Sequence, residues 1–326
     1  MRMSKVLVTG ANSFLGSNVI PELLARGYKV RGMLRKPAFL SAGHKDLEEF
    51  HGHITSEKDV IRAAEGCDIL IHVAAATDPS TGYGEYESVN VGGTQNTIKA
   101  ARSHNIRKVI YVSTANAFGH GTKERPGNEN MPAKPPFTRS GYARSKIKAQ
   151  NLVLEAFETS HTRVTVVNPT FMIGPLDNKI SSNRIILRAL NKRIVLIPPG
   201  GKNFIHVRDA AIGTCNAIES GKDGECYILA NENLTYEEFY RKMAAVTGEK
   251  TLLVSIPRQV LLMGGAAGGL MGLAGWNTSI NPVNMKIIST CNFYQATKAV
   301  RDLKLPQTPV EEAIKEAISW FAGNKK

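Results

Sequence analysis

Short apolar runs and longer amphipathic stretches alternate along the first half of the chain. Residues 5–9 are a β-branched apolar run. A glycine-bearing turn follows, then an amphipathic stretch that continues through Leu24, and Gly27 ends it. Residues 29–34 predict a second strand. The runs at 68–73 (DILIHV), 108–113 (KVIYVS) and 164–167 (VTVV) predict three more, and residues 89–103 and 142–157 predict helices among them. Strands separated by helices of this length build βαβ units. Right-handed crossovers wind such units into a parallel sheet with helices on both faces, which suits strands that are apolar almost throughout. The expected fold class is therefore α/β, a doubly wound parallel sheet with a smaller mixed α/β C-terminal domain.

The pattern weakens in the second half. Residues 178–193 and 236–246 predict helices, and 204–207 and 226–229 short strands. Residues 309–321 predict a terminal helix with Val310, Ile314 and Ile318 on its apolar face. The loops at 120–139 and 197–203 are rich in turn formers. The first precedes the helix that opens at Tyr142, so it is expected near the mouth of any site built there. No internal repeat is present.

Composition narrows the picture only moderately. The chain has 326 residues, 42% hydrophobic and 21% charged, which is ordinary globular composition and enough for two domains. Cys67, Cys215, Cys226 and Cys291 lie far apart without metal or redox spacing, so reduced thiols in a cytoplasmic protein are expected. The first five residues run straight into Val6-Leu7-Val8, so no secretory segment is expected. A net charge of +13 favours anionic partners. Lys and Arg are dispersed without interleaved aromatics, so nucleic acid is not among them. Residues 260–276 carry no charge, hold six glycines and show the small-residue spacings Gly264/Gly268 and Gly268/Gly272. The segment is short for a span, and a buried or flexible cap on the second domain is expected rather than a membrane anchor.

The chemistry starts at the first turn. Thr9-Gly10-Ala11-Asn12-Ser13-Phe14-Leu15-Gly16 leaves a strand and opens a helix. Gly10 permits the tight turn, Gly16 permits close helix–sheet packing, and the helix N-terminus presents free N–H groups to a pyrophosphate. Ser13 stands where a third glycine is usual, and its hydroxyl can donate to phosphate. At the end of the second strand an acidic residue would hold the ribose hydroxyls of NAD. Here Arg35 and Lys36 follow the strand, as suits the 2′-phosphate of NADP, with NAD remaining open.

Tyr142 and Lys146 lie four apart on one helix face. A nearby ammonium and the positive oxidised nicotinamide favour phenolate, so Tyr142 can exchange a proton with a carbonyl or carbinol oxygen. The strand at 108–113 ends in Ser113-Thr114, where a hydroxyl can hold the reacting oxygen.

Taken in order, several segments resemble the extended short-chain dehydrogenase/reductases of the NAD-dependent epimerase/dehydratase superfamily. They are the Gly10–Gly16 loop, His72-Val-Ala-Ala-Ala76, Asn90-Val-Gly-Gly-Thr94, Ser113 to Gly119, Tyr142/Lys146, Asn168-Pro-Thr170 through Gly174-Pro175, and Phe204-Ile-His-Val-Arg-Asp209. The dihydroflavonol-reductase-like and 3β-hydroxysteroid-dehydrogenase-like members are the most similar. The resemblance implies a Rossmann domain of residues 1–170 plus about 204–230, and a substrate domain of about 171–203 plus 231–326. It implies Thr114 as the catalytic hydroxyl, with Ser113 second, Tyr142 as acid/base and Lys146 as its partner and ribose anchor. The implied cofactor contacts are Gly10, Asn12, Ser13, Phe14, Leu15, Gly16, Arg35, Lys36, His53, Ile54, Ala74, Ala75, Ala76, Asn90, Tyr142, Lys146, Asn168, Pro169 and Thr170. The stretch 206–209 is read as structural. His53 occupies a position where the family often has an Asp against adenine; as a metal pair, His51 and His53 lack further ligands, and no metal is expected.

Three functions fit these residues. The first is an NADP-dependent reductase or alcohol dehydrogenase of a small carbonyl or alcohol substrate. The second is a nucleotide-sugar epimerase holding NAD tightly, which Arg35 argues against. The third is a non-catalytic NADP sensor, which the retained Tyr142/Lys146 pair argues against. The Asp-Glu pair that dehydratases carry after the catalytic Thr is replaced by Ala115-Asn116. An apolar pocket is expected around Phe171, Met172, Ile173 and residues 260–276, with Arg184 and Arg188 more in keeping with a solvated helix face. A homodimer is expected by resemblance through the helices at 89–103 and 142–157.

Overall fold

The computed structural model describes residues 4–35, 44–273 and 279–323. In chain order the strands are β1 (Lys5–Thr9), β2 (Lys29–Leu34), β3 (Leu47–His51), β4 (Ile69–His72), β5 (Lys108–Val112), β6 (Arg163–Pro169), β7 (Phe171–Ile173), β8 (Ile194–Ile197), β9 (Gly201–His206), β10 (Glu225–Leu229), β11 (Glu232–Thr235), β12 (Leu252–Ser255) and β13 (Cys291–Asn292). The helices are α1 (Phe14–Ala25), α2 (Glu57–Ala64), α3 (Tyr83–Tyr86), α4 (Gly93–Ser103), α5 (Gly141–Phe157), α6 (Arg184–Leu187), α7 (Val207–Ser220), α8 (Tyr236–Thr247), α9 (Arg258–Leu273), α10 (Pro282–Ile288), α11 (Thr297–Leu303) and α12 (Val310–Gly323).

Seven strands form one parallel sheet in the order β10-β6-β5-β4-β1-β2-β3. Alternation along each strand feeds both faces. Val6 and Val8 of β1, with Ile69, Ile71 and Ile110, pack against Val19, Ile20 and Leu23 of α1 and against α7. Leu7, Leu70, Val109 and Tyr111 face the other way, against α2, α4 and α5 through Val60, Ile98, Ala149 and Val153. This is the doubly wound layer that the apolar runs predict. The order reverses between β1 and β4, and the carboxyl ends of those strands open the crevice where ligands meet such sheets.

A second, four-stranded sheet holds β9 between β11 and β13, with β7 also on β9. It packs through Phe204 and Leu234 on α8 and α12, where Phe239, Val310 and Ile314 complete a separate core. Thr235 caps α8 in a reciprocal capping box with Glu238, and Gly248 ends the helix at φ 71°, which favours glycine. A parallel pair, β8 and β12, lies apart from both sheets.

Three features depart from the pattern reading. The β3 strand and α2 were not predicted; β3 (LEEFH) is an edge strand with exposed Glu48 and Glu49, so it lacks the apolar run that marks the central strands. Residues 178–193 hold only the short helix α6. The Asp177 carboxylate instead accepts from the amides of Ser181 and Asn183 and folds the segment into turns. The apolar segment beginning at Val260 is helical but not a buried cap: α9 packs one side on α10 and leaves Val260, Met263 and Leu270 open to solvent. Residues 274–278 of that segment lie outside the described residues. Among the described residues no helix is long and apolar enough to cross a membrane.

Candidate active site

The first turn is built for close approach. Gly10 has φ +66°, and a Cβ there would lie 2.8 Å from the Ala74 backbone. A Cβ on Gly16 would come within 2.3 Å of the Gly10 carbonyl. Both positions therefore require glycine. Ser13 is the N-cap of α1, its Oγ accepting from the Gly16 amide at 3.1 Å, which leaves its hydroxyl proton free to donate. The amides of Phe14 and Leu15 in the first helical turn have no acceptor among the described residues. Asn12 lies in the same turn.

Opposite this turn, Ala74, Ala75 and Ala76 leave β4. Ala74 N–H donates to Thr9 Oγ1 at 3.3 Å. Asn90 accepts from the Ala76 amide at 2.7 Å and donates both to the Ala76 carbonyl and to Ser145 Oγ. Its amide protons are thus used by protein, and it ties the alanine turn to α5. Ile54 is buried against Gly93. His53 is exposed beyond β3, its N–H donating to Asp59 Oδ2 at 3.0 Å and its ring meeting Thr55. Arg35 is exposed just past β2, and Lys36 lies outside the described residues. A residue absent from the sequence reading joins Arg35: the Lys179 ammonium, whose pKa is lowered by partial burial and, to a smaller extent, by repulsion from Arg35. Its position in an irregular turn far along the chain gave no signal.

The reacting end is at the close of β5. Thr114 caps the short 3-10 turn Ala115–Ala117, its Oγ1 accepting from the Asn116 amide at 3.3 Å. Its side chain also meets the Tyr142 phenol. The Ser113 Oγ is buried without a hydrogen-bond partner among the described residues. The geometry thus joins Thr114, rather than Ser113, to Tyr142. Lys146 is buried beneath them. Its Nζ donates to the Val112 carbonyl at 2.6 Å and lies 4.4 Å from the centre of the Tyr111 ring. Burial pushes its pKa down to about 7. The Tyr142 phenol is pushed up to about 12 by burial, against the smaller opposing effect of Thr114. Within the protein itself the phenol is therefore neutral at pH 7, since removal from water outweighs the Thr114 hydroxyl; the phenolate expected from the sequence rests also on the positive charge of an oxidised nicotinamide.

Asn168, fully buried at the end of β6, donates to the Thr114 carbonyl at 3.0 Å and to Gln150 Oε1 at 2.8 Å, while its Oδ1 has no partner among the described residues. Pro169 pairs with Leu229 in the sheet, and the Thr170 hydroxyl donates to Asn203 Oδ1 at 2.8 Å. Lys202, on β9, was likewise missed. Its ammonium lies 4.9 Å from the centre of the Phe171 ring, and burial lowers its pKa to about 8. His206, Arg208 and Asp209 work within the protein: Asp209 accepts from the Thr308 amide and hydroxyl, and Arg208 pairs with Glu316.

A glycine cradle, free first-turn amides, and the orphaned Asn168 Oδ1 on a side chain bonded to the Thr114 carbonyl fit a bound dinucleotide. Gly10, Ser13, Phe14 and Leu15 would hold its pyrophosphate, and Lys146 and Asn168 its nicotinamide end.

The sequence model of the NAD dependent epimerase/dehydratase family matches residues 6–230. A Synechocystis sp. protein named "Putative dihydroflavonol 4-reductase" is 29% identical, covering 96% of this chain and 93% of its own. A 3 beta-hydroxysteroid dehydrogenase/Delta 5-->4-isomerase of Mycobacterium tuberculosis is 25% identical over 98% of this chain and 90% of its own. The crystal structure of gox2253 superimposes with a TM-score of 0.83 at 28% identity, covering 99% of each chain. The match over most of the nucleotide-binding half, with the glycine turn and the Tyr142/Lys146 helix in family order, shows that the chain belongs to the NAD dependent epimerase/dehydratase family, within the extended short-chain dehydrogenase/reductases.

Proposed function

We propose that the protein is an NADP-dependent oxidoreductase that interconverts a ketone and a secondary alcohol on a largely apolar small substrate. The observation that carries this reading is the meeting of Tyr142 and Thr114 at the end of β5, with Lys146 fixed beneath them. When bound, the nicotinamide cofactor supplies the hydride to the substrate carbon or takes it away. Thr114 Oγ1 orients the substrate oxygen, and the Tyr142 hydroxyl holds the proton that this oxygen needs as the carbonyl becomes a carbinol. A neutral phenol suits the reductive direction. Lys146, anchored on the Val112 carbonyl, fixes the ribose and, in its protonated form, stabilises the phenolate left behind.

Two further features support the finer points. Arg35 and Lys179 place positive charge at the end of β2, where NAD-specific members would carry an acid, and this favours the 2′-phosphate of NADP. Ala115 and Asn116 after Thr114 supply no acid–base pair for sugar dehydration. The names of two relatives, a dihydroflavonol reductase and a hydroxysteroid dehydrogenase, point to ring-bearing ketones and alcohols as the first substrates to try.

The test is titration of the purified protein with NADPH and NADH after its absorbance has been checked for retained nucleotide. Empty protein that binds NADPH at least about tenfold more tightly supports the reading, since one charge-assisted contact is worth about that factor. Tightly retained NAD would move sugar epimerisation to the front. Binding of neither would remove the catalytic reading altogether.

A further inference from the structure

Most of the exposed large aliphatic side chains among the described residues fall on a few neighbouring elements. Ile194 and Leu196 of β8 stand beside Leu252 and Val254 of β12, and the register pairs Leu252 with Ile194 and Val254 with Leu196. Their side chains therefore share one face of the two-stranded sheet, while Val195 and Ile197 turn inward to the core. Only Ile256 and Pro257 separate β12 from α9. On α9 the apolar exposure continues, with Met263 at 72% and Leu270 at 69%, beside Val260, Met271 and, beyond the helix, Ile280. The helix carries no charge after Arg258. Its packed side is set by Gly265 and Gly268, where added Cβ atoms would strike Met285 and the Ile280 carbonyl. A helix that is apolar all round belongs inside a protein or against lipid. Among the described residues, protein covers only one side of it.

The charges that flank these segments in the chain are mostly positive. No acidic residue occurs between Glu249 and Asp302. Lys192, Arg193, Lys250, Arg258 and Lys286 are exposed and form no ion pair among the described residues. Glu249, the carboxylate flanking the segment, is engaged by the Asn191 amide at 3.2 Å. Aliphatic side chains ringed by unpaired cations match an anionic bilayer surface, where the former enter the acyl boundary and the latter meet headgroup phosphates.

We propose that α9 and the exposed face of β8 and β12 dock the protein in plane on an anionic membrane surface, without crossing it. The α9–α10 pair also stands by the site. Helix α10 touches the 3-10 turn Phe137–Arg139 that leads into α5, and Asn292, just beyond α10, donates to Asn116 Oδ1 at 3.0 Å, two residues from Thr114. On the reductase reading, this places the mouth of the site at the lipid surface, so a membrane-dissolved ketone enters without crossing water. Docking itself does not depend on that reading.

The test is co-sedimentation of the full chain with vesicles of phosphatidylcholine alone and with phosphatidylglycerol added, together with sedimentation velocity of the free protein. The expected result is binding at least about tenfold stronger to the anionic vesicles, weakened by 0.5 M NaCl as screening predicts. It should be lost in Met263→Glu/Leu270→Glu and reduced several-fold in Lys250→Glu/Arg258→Glu, with both variants melting as the parent does. The second pair alters only exposed charge, so it keeps the test valid if the first unfolds. Protein that stays in the supernatant with every vesicle overturns the proposal. So does a dimer that Met263→Glu/Leu270→Glu converts to monomer without changing vesicle binding, since a second copy would then be what covers this face.

Discussion

Tyr142 and Thr114 are joined by geometry, and their roles separate cleanly by mutation. Tyr142→Phe removes the proton donor and keeps the ring, so turnover should fall by about 10²–10⁴-fold while NADPH binding, read by its fluorescence, stays the same. Ser113 Oγ makes no hydrogen bond among the described residues, and Ser113→Ala should leave turnover within a few-fold of the parent. Arg35→Ala should weaken NADPH by about tenfold and leave NADH unchanged, as measured by the two dissociation constants. The buried lysines give a pH signature. Lys146 is lowered to about 7 and Lys108 to about 8, both by burial, so above pH 7 the folded protein releases protons that the unfolded chain still holds. Stability must then rise with pH from about 7 until the cysteines, whose folded pKa values are raised, begin to ionise in the unfolded chain near 9. Denaturant midpoints across that window check the sign, and Lys146→Met should flatten the rise. At this scale the sequence was informative wherever a residue type has few reasons to stand at a strand end, as with Gly10 and Thr114, or at the opening of a helix, as with Tyr142. It was silent on Lys179 and Lys202, because a single lysine in an irregular turn or short strand carries no pattern, and only the folded chain brings each to its partner.

Elements were legible in proportion to how completely they are buried. Strands β1, β4, β5 and β6 are covered on both faces and read as apolar runs, whereas the edge strand β3 spends its positions on Glu48 and Glu49 and was not seen. Helix α2 is short and mostly polar, with only Val60, Ala63 and Ala64 facing the core, too few for a confident period. Residues 178–193 misled because apolar positions at helical spacing lie in a segment that Asp177 and Asn183 bind into turns; local side-chain acceptors there compete with the helix. Caps can be tested singly. Loss of the Thr235 capping box in Thr235→Ala should cost about 1 kcal/mol, seen as a fall of about 2–4 °C in Tm. Gly10→Ala should do more, since it forces a positive φ on alanine and drives a Cβ to 2.8 Å from Ala74, so both Tm and dinucleotide binding should drop.

For the whole molecule, the seven-stranded sheet supplies the crevice, and a separate four-stranded sheet carries Phe171 and Lys202. The family order of motifs made this arrangement readable from the chain. The surface position of α9 was not readable, because an uncharged, glycine-rich helix has the same sequence whether protein or lipid covers it. The central claim, hydride exchange at the Tyr142–Thr114 pair, is tested most directly by isotope transfer. NADPH deuterated at C4 is mixed with the protein and a panel of cyclic and steroid ketones, and the products are read by mass spectrometry. The account predicts deuterium at the new carbinol carbon with the parent protein, and transfer slowed at least about 10²-fold in Tyr142→Phe. Deuterium transfer at an unchanged rate in Tyr142→Phe would contradict it.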